Sequence, residues 1–544
     1  MSQQDLSPFE FKDELIKLAT SKADRLMLNA GRGNPNFLAT VPRHAFLRLG
    51  DFALKESERS YSYLDNIFGG LPEKKGILER FDFYCMANDK LDGISFLKAA
   101  ISFVDDHLGI NKEDFLYEMT NAYLGCNYPS PPRMLSITEK IVMYYLREEL
   151  YKNTDIPLEF DIFATEGGTA AMTYIFQSAK INRLLNANDK IAMISPIFSP
   201  YLEIPELPEY NNTIVHIYAD EQADWQVTDK ELEKLLDPTI KILCLVNPSN
   251  PPSVKISDSV LDKIANIIEN HRSDLMIITD DVYATFSDDF ESLFSKCAYN
   301  TLCVYSFSKY FGATGWRIGT IALHKDNIFD KLISELDDKK LQELDKHYSS
   351  LTTNSRTLKF IDRLVADSRS VALNHTAGIS LPQQLQMSLF ALSSLLDNQD
   401  IYRKEAKKLI RRRYNILFNS ISPKIQHHYN SDNVGYYTLL DLEHLSTVIY
   451  DKFFSKWLIQ NHSVNDMLKT LASETGIVLL PGNGFDDLHP SARVSLANLR
   501  ECDYRNIGIN IRQQLDVRFY RVVYTFCLKY LSSFSYGVKL SIPL

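Results

Sequence analysis

From Phe160 onward the chain alternates short, unbroken apolar runs with stretches whose apolar residues recur at three and four positions. The runs are Asp161–Thr165, Lys190–Ser195, Ile242–Val246, Leu275–Thr279 and Thr301–Tyr305, each of strand length and too apolar to leave much in water. Between them, Ala170 to about Leu184 reads as one helix, and Leu261, Ile264 and Ile268 mark another. This βαβ alternation predicts an α/β fold with a mainly parallel sheet, whose ligands belong at the strand ends.

Upstream, Ser7-Pro-Phe-Glu10 reads as a capping box opening a helix from Pro8 to about Thr20, with Phe11, Leu15 and Leu18 on one face. Residues 41–125 are mostly helical in pattern, interrupted by the aromatic and glycine-rich Tyr61–Gly70. After about residue 325 the pattern becomes long helices with polar faces, Phe360–Arg369 among them, and Tyr436–Asp441 and Gly476–Pro481 look like strands of a smaller domain. The expected organisation is an N-terminal arm with part of the small domain (1–60), a tyrosine/glycine segment with a helical insertion (61–150), a large domain (151–350), interdomain helices with a small C-terminal domain (351–515), and an atypical apolar tail (516–544).

Composition narrows the class. With 544 residues, 45% hydrophobic and 24% charged, the chain is globular, and its net charge of -10 argues against nucleic acid as a partner. Seven scattered cysteines indicate neither a disulfide framework nor a metal site, which fits a reducing cytoplasm. No basic-then-apolar leader opens the chain, and the tail's longest uncharged run falls short of the ~20 residues a membrane span needs.

The chemistry gathers at the predicted strand ends. Thr301–Tyr305 leads into Ser306-Phe-Ser-Lys-Tyr-Phe-Gly-Ala-Thr-Gly-Trp-Arg317, which places the Lys309 amine past a strand end, with hydroxyls on Ser306 and Ser308 and a phosphate-pairing charge on Arg317. Asp161–Thr165 runs into Glu166-Gly-Gly-Thr169 before a helix whose free N–H groups suit a phosphate, with Gly168 allowing close approach and Thr169 adding a hydroxyl. Leu275–Thr279 delivers Asp280-Asp-Val-Tyr283, and Ile242–Val246 ends in Asn247-Pro-Ser-Asn-Pro251. Earlier, Gly31 and Gly33 flank Arg32 in a bent, mobile loop.

Leu28–Leu38, Gly125–Pro129, Glu166–Met172, Val246–Pro252 and Tyr305–Arg317 resemble the aspartate 4-decarboxylases, a branch of the class I and II aminotransferases among fold-type I pyridoxal-phosphate enzymes. The resemblance covers roughly residues 5–513 and implies a seven-stranded large-domain sheet, a smaller α+β domain, and 72–124 as the helical insertion. It implies pyridoxal 5'-phosphate on Lys309, with Phe198 stacked on the ring, Asn250 and Tyr283 on the ring hydroxyl, and Asp280 on the ring nitrogen. For substrate it implies Arg493 on the α-carboxylate, Arg32 or Arg369 on the second carboxylate, and Asn250 and Tyr128 at the site, with Tyr63 reaching a neighbouring subunit. Where the family has Thr-Gly after its second Asn-Pro, this chain has Pro252-Ser253, which implies an altered turn.

The implied reaction takes L-aspartate to L-alanine and CO2, with transamination to a 2-oxo acid as a side activity, in a homo-oligomer built from dimers, the family's assembly being a dodecamer. Loose binding of the β-carboxylate would favour its loss, since a firm clamp stabilises the ground state. A plain aspartate or aromatic aminotransferase and a non-catalytic, ligand-sensing module are the alternatives.

Overall fold

A computed structural model describes residues 7–21, 26–65, 68–152, 159–369, 378–425 and 430–535. Asn66 and Ile67 of the tyrosine/glycine segment and residues 536–544 of the tail lie outside the described residues. The chain forms two compact units: residues 34–407 with 431–434, and residues 1–33 with 408–430 and 435–544.

The larger unit is built on an eight-stranded sheet in the spatial order Phe160–Thr165, Gly319–His324, Thr301–Ser306, Met276–Asp280, Ile240–Val246, Lys190–Ser195, Thr213–Asp220, Gln226–Val227. The five strands from Thr301–Ser306 to Thr213–Asp220 pair in parallel, and Gly319–His324 runs antiparallel to both neighbours. The α/β expectation holds, and the sheet has one strand more than expected, the two-residue Gln226–Val227 at the edge. Every residue of Met276–Asp280 and Thr301–Ser306 is buried, as parallel strands covered on both faces require. On one face Ala192, Ile194, Leu243, Leu245 and Ile277 pack against Val260, Leu261, Ile264 and Ile268 of the helix Asp258–Asn270.

Register decides what these strands deliver. Val246 pairs with Asp280, Asp280 with Val304, Ser306 with Gly319, and Gly319 with Thr165. The chain therefore leaves the sheet at one common edge at Thr165, Val246, Asp280 and Ser306. The helical segment before the sheet contains Ile77–Ala87, Ile94–Leu108 and Lys112–Leu124, in agreement with the helical pattern of 41–125.

The smaller unit holds a three-stranded sheet with Ser491–Ser495 between Tyr437–Asp441 and Leu480–Pro481, and a parallel pair of Leu28–Asn29 with Ile477–Val478. Gly476–Pro481 is thus two strands serving two sheets. The first helix spans Pro8–Thr20, but Ser7 makes no side-chain cap bond; its carbonyl accepts from Phe11 N–H instead, and the buried face is Phe11, Leu15 and Ala19. Phe360–Asp367 is a short helix with nearly all of its residues buried, Arg363 and Asp367 included, rather than a long helix with a polar face. The C-terminal helix runs without a break through Glu501–Ser535. Its Tyr450-facing ring, Phe519, stacks at 4.5 Å between centroids, so the chain does not change structure at residue 516.

Candidate active site

Lys309 lies three residues beyond the fully buried strand Thr301–Ser306, in the turn that follows it. Ser306 Oγ donates to Ser308 Oγ at 3.0 Å, and the Ser308 N–H donates to Ser306 Oγ at 3.3 Å, which fixes both hydroxyls at the strand end. Gly167 follows Thr165 with φ +91 and opens the helix Gly168–Ile181, two residues earlier than the sequence pattern suggests. Arg317 lies over that turn: Nη2 donates to Glu166 O at 3.0 Å and Nη1 to Thr314 O at 3.1 Å. A Cβ at Gly167 would stand 2.8 Å from Arg317 Nη2, and one at Gly168 would stand 3.7 Å from Ser306 Cβ. The helix start, the Ser306 and Ser308 hydroxyls and the Arg317 guanidinium thus lie around one turn that a side chain at Gly167 would crowd, and this donor set, with Thr169 in the first helical turn, fits a phosphate dianion.

Asp280 closes its strand at 6% exposure. Tyr201 Oη donates to its Oδ2 at 3.3 Å and the Val282 N–H to its Oδ1 at 3.3 Å. Burial, and after it the charge of Asp281, pushes the Asp280 carboxyl up to about 7, against the pull of those two donors and of the Lys309 charge. Burial likewise pushes Asp281 up to about 6, opposed by hydrogen bonds from Ser292, Thr279 and Cys303. A buried carboxyl one step from the cradle fits a protonated aromatic nitrogen, which supplies the cation this pocket favours. Asn250 Nδ2 donates to Tyr283 Oη at 3.4 Å, both residues being buried, so the pair expected at a ring hydroxyl is assembled. Asn247 anchors the turn from both sides, its N–H to Asp280 O and its Oδ1 to the Ile256 N–H, each at 2.9 Å. Ser253 takes φ +64, the left-handed conformation that the family's glycine would enter freely, and the Val434 N–H holds its carbonyl at 2.9 Å. Phe198 is half-buried beyond the strand Lys190–Ser195.

The structure brings Gly168, Thr169, Ser306, Ser308, Lys309, Arg317, Asp280, Asn250, Tyr283 and Phe198 to one edge of one sheet. Other expected residues are placed differently. Arg369 is committed to Glu166 Oε1 at 2.5 Å and Tyr174 Oη at 2.7 Å, so it braces the turn before Gly167. Tyr128 and Tyr63 are 73% and 76% exposed in this chain. In the smaller unit, Arg493 is buried, stacked on Tyr437 at 4.3 Å and Phe485 at 4.5 Å, and its Nη2 donates to Gly31 O at 2.9 Å. Arg32 is exposed, but its flanking glycines are held: Tyr436 Oη donates to Gly33 O at 2.7 Å, and the Gly31 N–H donates to Asn29 Oδ1 at 3.0 Å. The backbone on both sides of Arg32 is thus hydrogen-bonded, while its side chain stands exposed.

Sequence reasoning missed Tyr201, whose hydroxyl reaches Asp280, and the Glu166–Tyr174–Arg369 brace. For Tyr201 the available signal was its place in the turn just after the strand Lys190–Ser195, three residues beyond Phe198, whose carbonyl accepts from the Tyr201 N–H. The brace spans 203 residues of chain and has no local signal.

Comparison with known proteins adds a family profile, a near full-length relative and two structural likenesses. The family profile described as aminotransferase class I and II matches residues 127–507. The chain is 54% identical over 516 residues, 95% of its length and 97% of the relative's, to the bifunctional aspartate aminotransferase and L-aspartate beta-decarboxylase of a Pseudomonas species. Among solved structures, a Thermus thermophilus aspartate aminotransferase double mutant superposes with TM-score 0.60 at 16% identity, covering 94% of this chain and 97% of that one. Bna3p of Saccharomyces cerevisiae superposes with TM-score 0.57 at 17% identity, covering 95% and 97%. These two likenesses speak to the fold.

Proposed function

The chain belongs to the class I and II aminotransferases, and from that premise we propose that it is a pyridoxal-phosphate enzyme that removes the β-carboxylate of L-aspartate, giving L-alanine and CO2, with aspartate transamination as a side activity. The near full-length similarity to the bifunctional Pseudomonas enzyme carries the choice of reaction. The convergence of matched residues at one sheet edge supports the site.

Pyridoxal phosphate bound here would supply a ring that accepts carbanion electrons. The chain's residues do the rest. The Gly168 helix start, Thr169, Ser306, Ser308 and Arg317 hold the phosphate. Asp280 would keep the ring nitrogen protonated, Asn250 and Tyr283 would hold the ring hydroxyl, and Phe198 would pack on the ring. Lys309 Nζ would hold the cofactor, and its amine stands to take the Cα proton of aspartate. After CO2 leaves, one proton delivered to Cβ and one returned to Cα complete alanine. Arg493 is proposed for the α-carboxylate because its planar fork suits a bidentate contact. Arg32 is preferred over Arg369 for the β-carboxylate, because Arg369 is already paired with Glu166.

Oligomerisation from dimers and a cytoplasmic setting belong to the same proposal. Leu47, Leu54, Phe83 and Met86 are each more than half exposed, which supports self-association. Among the described residues no helix is long and apolar enough to cross a membrane. The test is incubation of cofactor-loaded protein with L-aspartate alone: alanine and CO2 in equal amounts are expected. Oxaloacetate without CO2 beyond its spontaneous breakdown would mark an aminotransferase, and no turnover would mark a binding module.

A further inference from the structure

Asp281 has no part in the reading above, and its setting calls for one. It follows Asp280 directly, is 0% exposed, and faces the other side of the strand. Thr279, two residues earlier on that same side, donates Oγ1 to Asp281 Oδ1 at 2.6 Å; Ser292 Oγ donates to Oδ2 at 2.5 Å and Cys303 Sγ to Oδ2 at 3.4 Å. All three donors are neutral, and Asp281 makes no ion pair among the described residues. A neutral side chain could tie the same strand to Ser292 without the desolvation cost of a buried anion. The charge therefore asks for a purpose beyond the tie.

That purpose follows from its neighbour. When the ring nitrogen beside Asp280 is protonated, ring and carboxylate sum to zero; when the proton leaves, a net negative charge remains in low dielectric beside Asp281. We propose that Asp281 is a positioning residue whose buried negative charge makes Asp280 hold the ring-nitrogen proton of pyridoxal phosphate more tightly. Asp281 touches neither cofactor nor substrate; it acts through Asp280. The inference rests on the reading of Asp280 as the ring-nitrogen partner.

The test compares the affinity of the cofactor-free protein for pyridoxal phosphate with its affinity for the 1-deaza analogue, whose ring has CH in place of nitrogen. Wild type, Asp281→Asn and Ser292→Ala are measured by fluorescence quenching. At an assay pH of 8.5, chosen because losing the Ser292 bond raises the Asp281 carboxyl further, wild type is expected to prefer pyridoxal phosphate, D281N to lose at least threefold of that preference, and S292A, which breaks the tie and leaves an ionised carboxylate, to retain it. An unchanged preference in D281N, or an equal loss in S292A, overturns the inference. Wild type that binds neither ligand fails the functional reading itself, and wild type that binds both equally fails the assignment of Asp280. If D281N does not accumulate folded, Asp281→Ser reads the same preference with a smaller neutral side chain.

Discussion

Asp280→Asn is expected to stabilise the cofactor-free protein at alkaline pH while weakening its grip on pyridoxal phosphate. The folded carboxyl sits at about 7 against an ordinary 3.8, chiefly because of burial. Between those values the folded chain binds the proton and the unfolded chain has released it, so this group's stability contribution falls as pH rises through the window. At 1.36 kcal/mol per pH unit, the full penalty above pH 7 is about 4 kcal/mol. Asparagine removes it and puts an amide N–H2 where Tyr201 Oη had its acceptor, at a cost of about 1–3 kcal/mol. The net gain at pH 8 is then about 1–3 kcal/mol, and it disappears near pH 5, where wild-type Asp280 is already mostly neutral when folded. Urea unfolding of both cofactor-free proteins at pH 5 and pH 8 measures this. A variant less stable than wild type at pH 8, or a gain of the same size at both pH values, would refute the reasoning.

Other perturbations test the remaining parts of the site and its frame. Gly167→Ala forces alanine to φ +91 and sets a Cβ 2.8 Å from Arg317 Nη2; backbone strain of about 1–3 kcal/mol should lower the unfolding midpoint, and equilibrium dialysis should show pyridoxal phosphate binding at least fivefold weaker. Arg317→Ala should weaken pyridoxal phosphate more than pyridoxal, which lacks the phosphate, and equal losses for both would remove Arg317 from the cradle. Asp367→Asn should cost about 1–3 kcal/mol in urea unfolding, because Ser178, Asn182 and Tyr348 all donate to this buried carboxylate. Asp367 also raises the proton affinity of His347 by hydrogen bonding at 3.0 Å. The His347 contribution is therefore complete below pH 6.5 and lost as pH rises through the folded value, so His347→Ala should destabilise at pH 6 and approach wild type in stability by pH 9.

Much of the larger unit could be read from residues alone because its central strands are buried on both faces. Lys190–Ser195 has the same limits in sequence and structure, and Ile242–Val246 gains only two residues at its start. Thr213–Asp220, the next-to-last strand, escaped notice because a strand of mixed polarity, only Ile217 fully buried along it, carries no apolar run. The residues proposed for the phosphate and the ring were legible because each sits within a few residues of a strand end. Contacts that close over hundreds of residues were not. Nothing near Arg32 in the chain shows that Arg493, 462 residues from Gly31, and Tyr436, 403 residues from Gly33, bond the backbone on either side of it. Arg369 looks available for a carboxylate until Glu166 is found on it.

The central claim is that the ε-amine of Lys309 carries pyridoxal phosphate. Protein loaded with pyridoxal phosphate, reduced with borohydride, digested and analysed by mass spectrometry measures this directly. The account predicts a single reduced pyridoxyl adduct, on the peptide containing Lys309, and its absence from Lys309→Ala. Loaded protein that yields no adduct, or one on another lysine with Lys309→Ala labelled as fully as wild type, would contradict it.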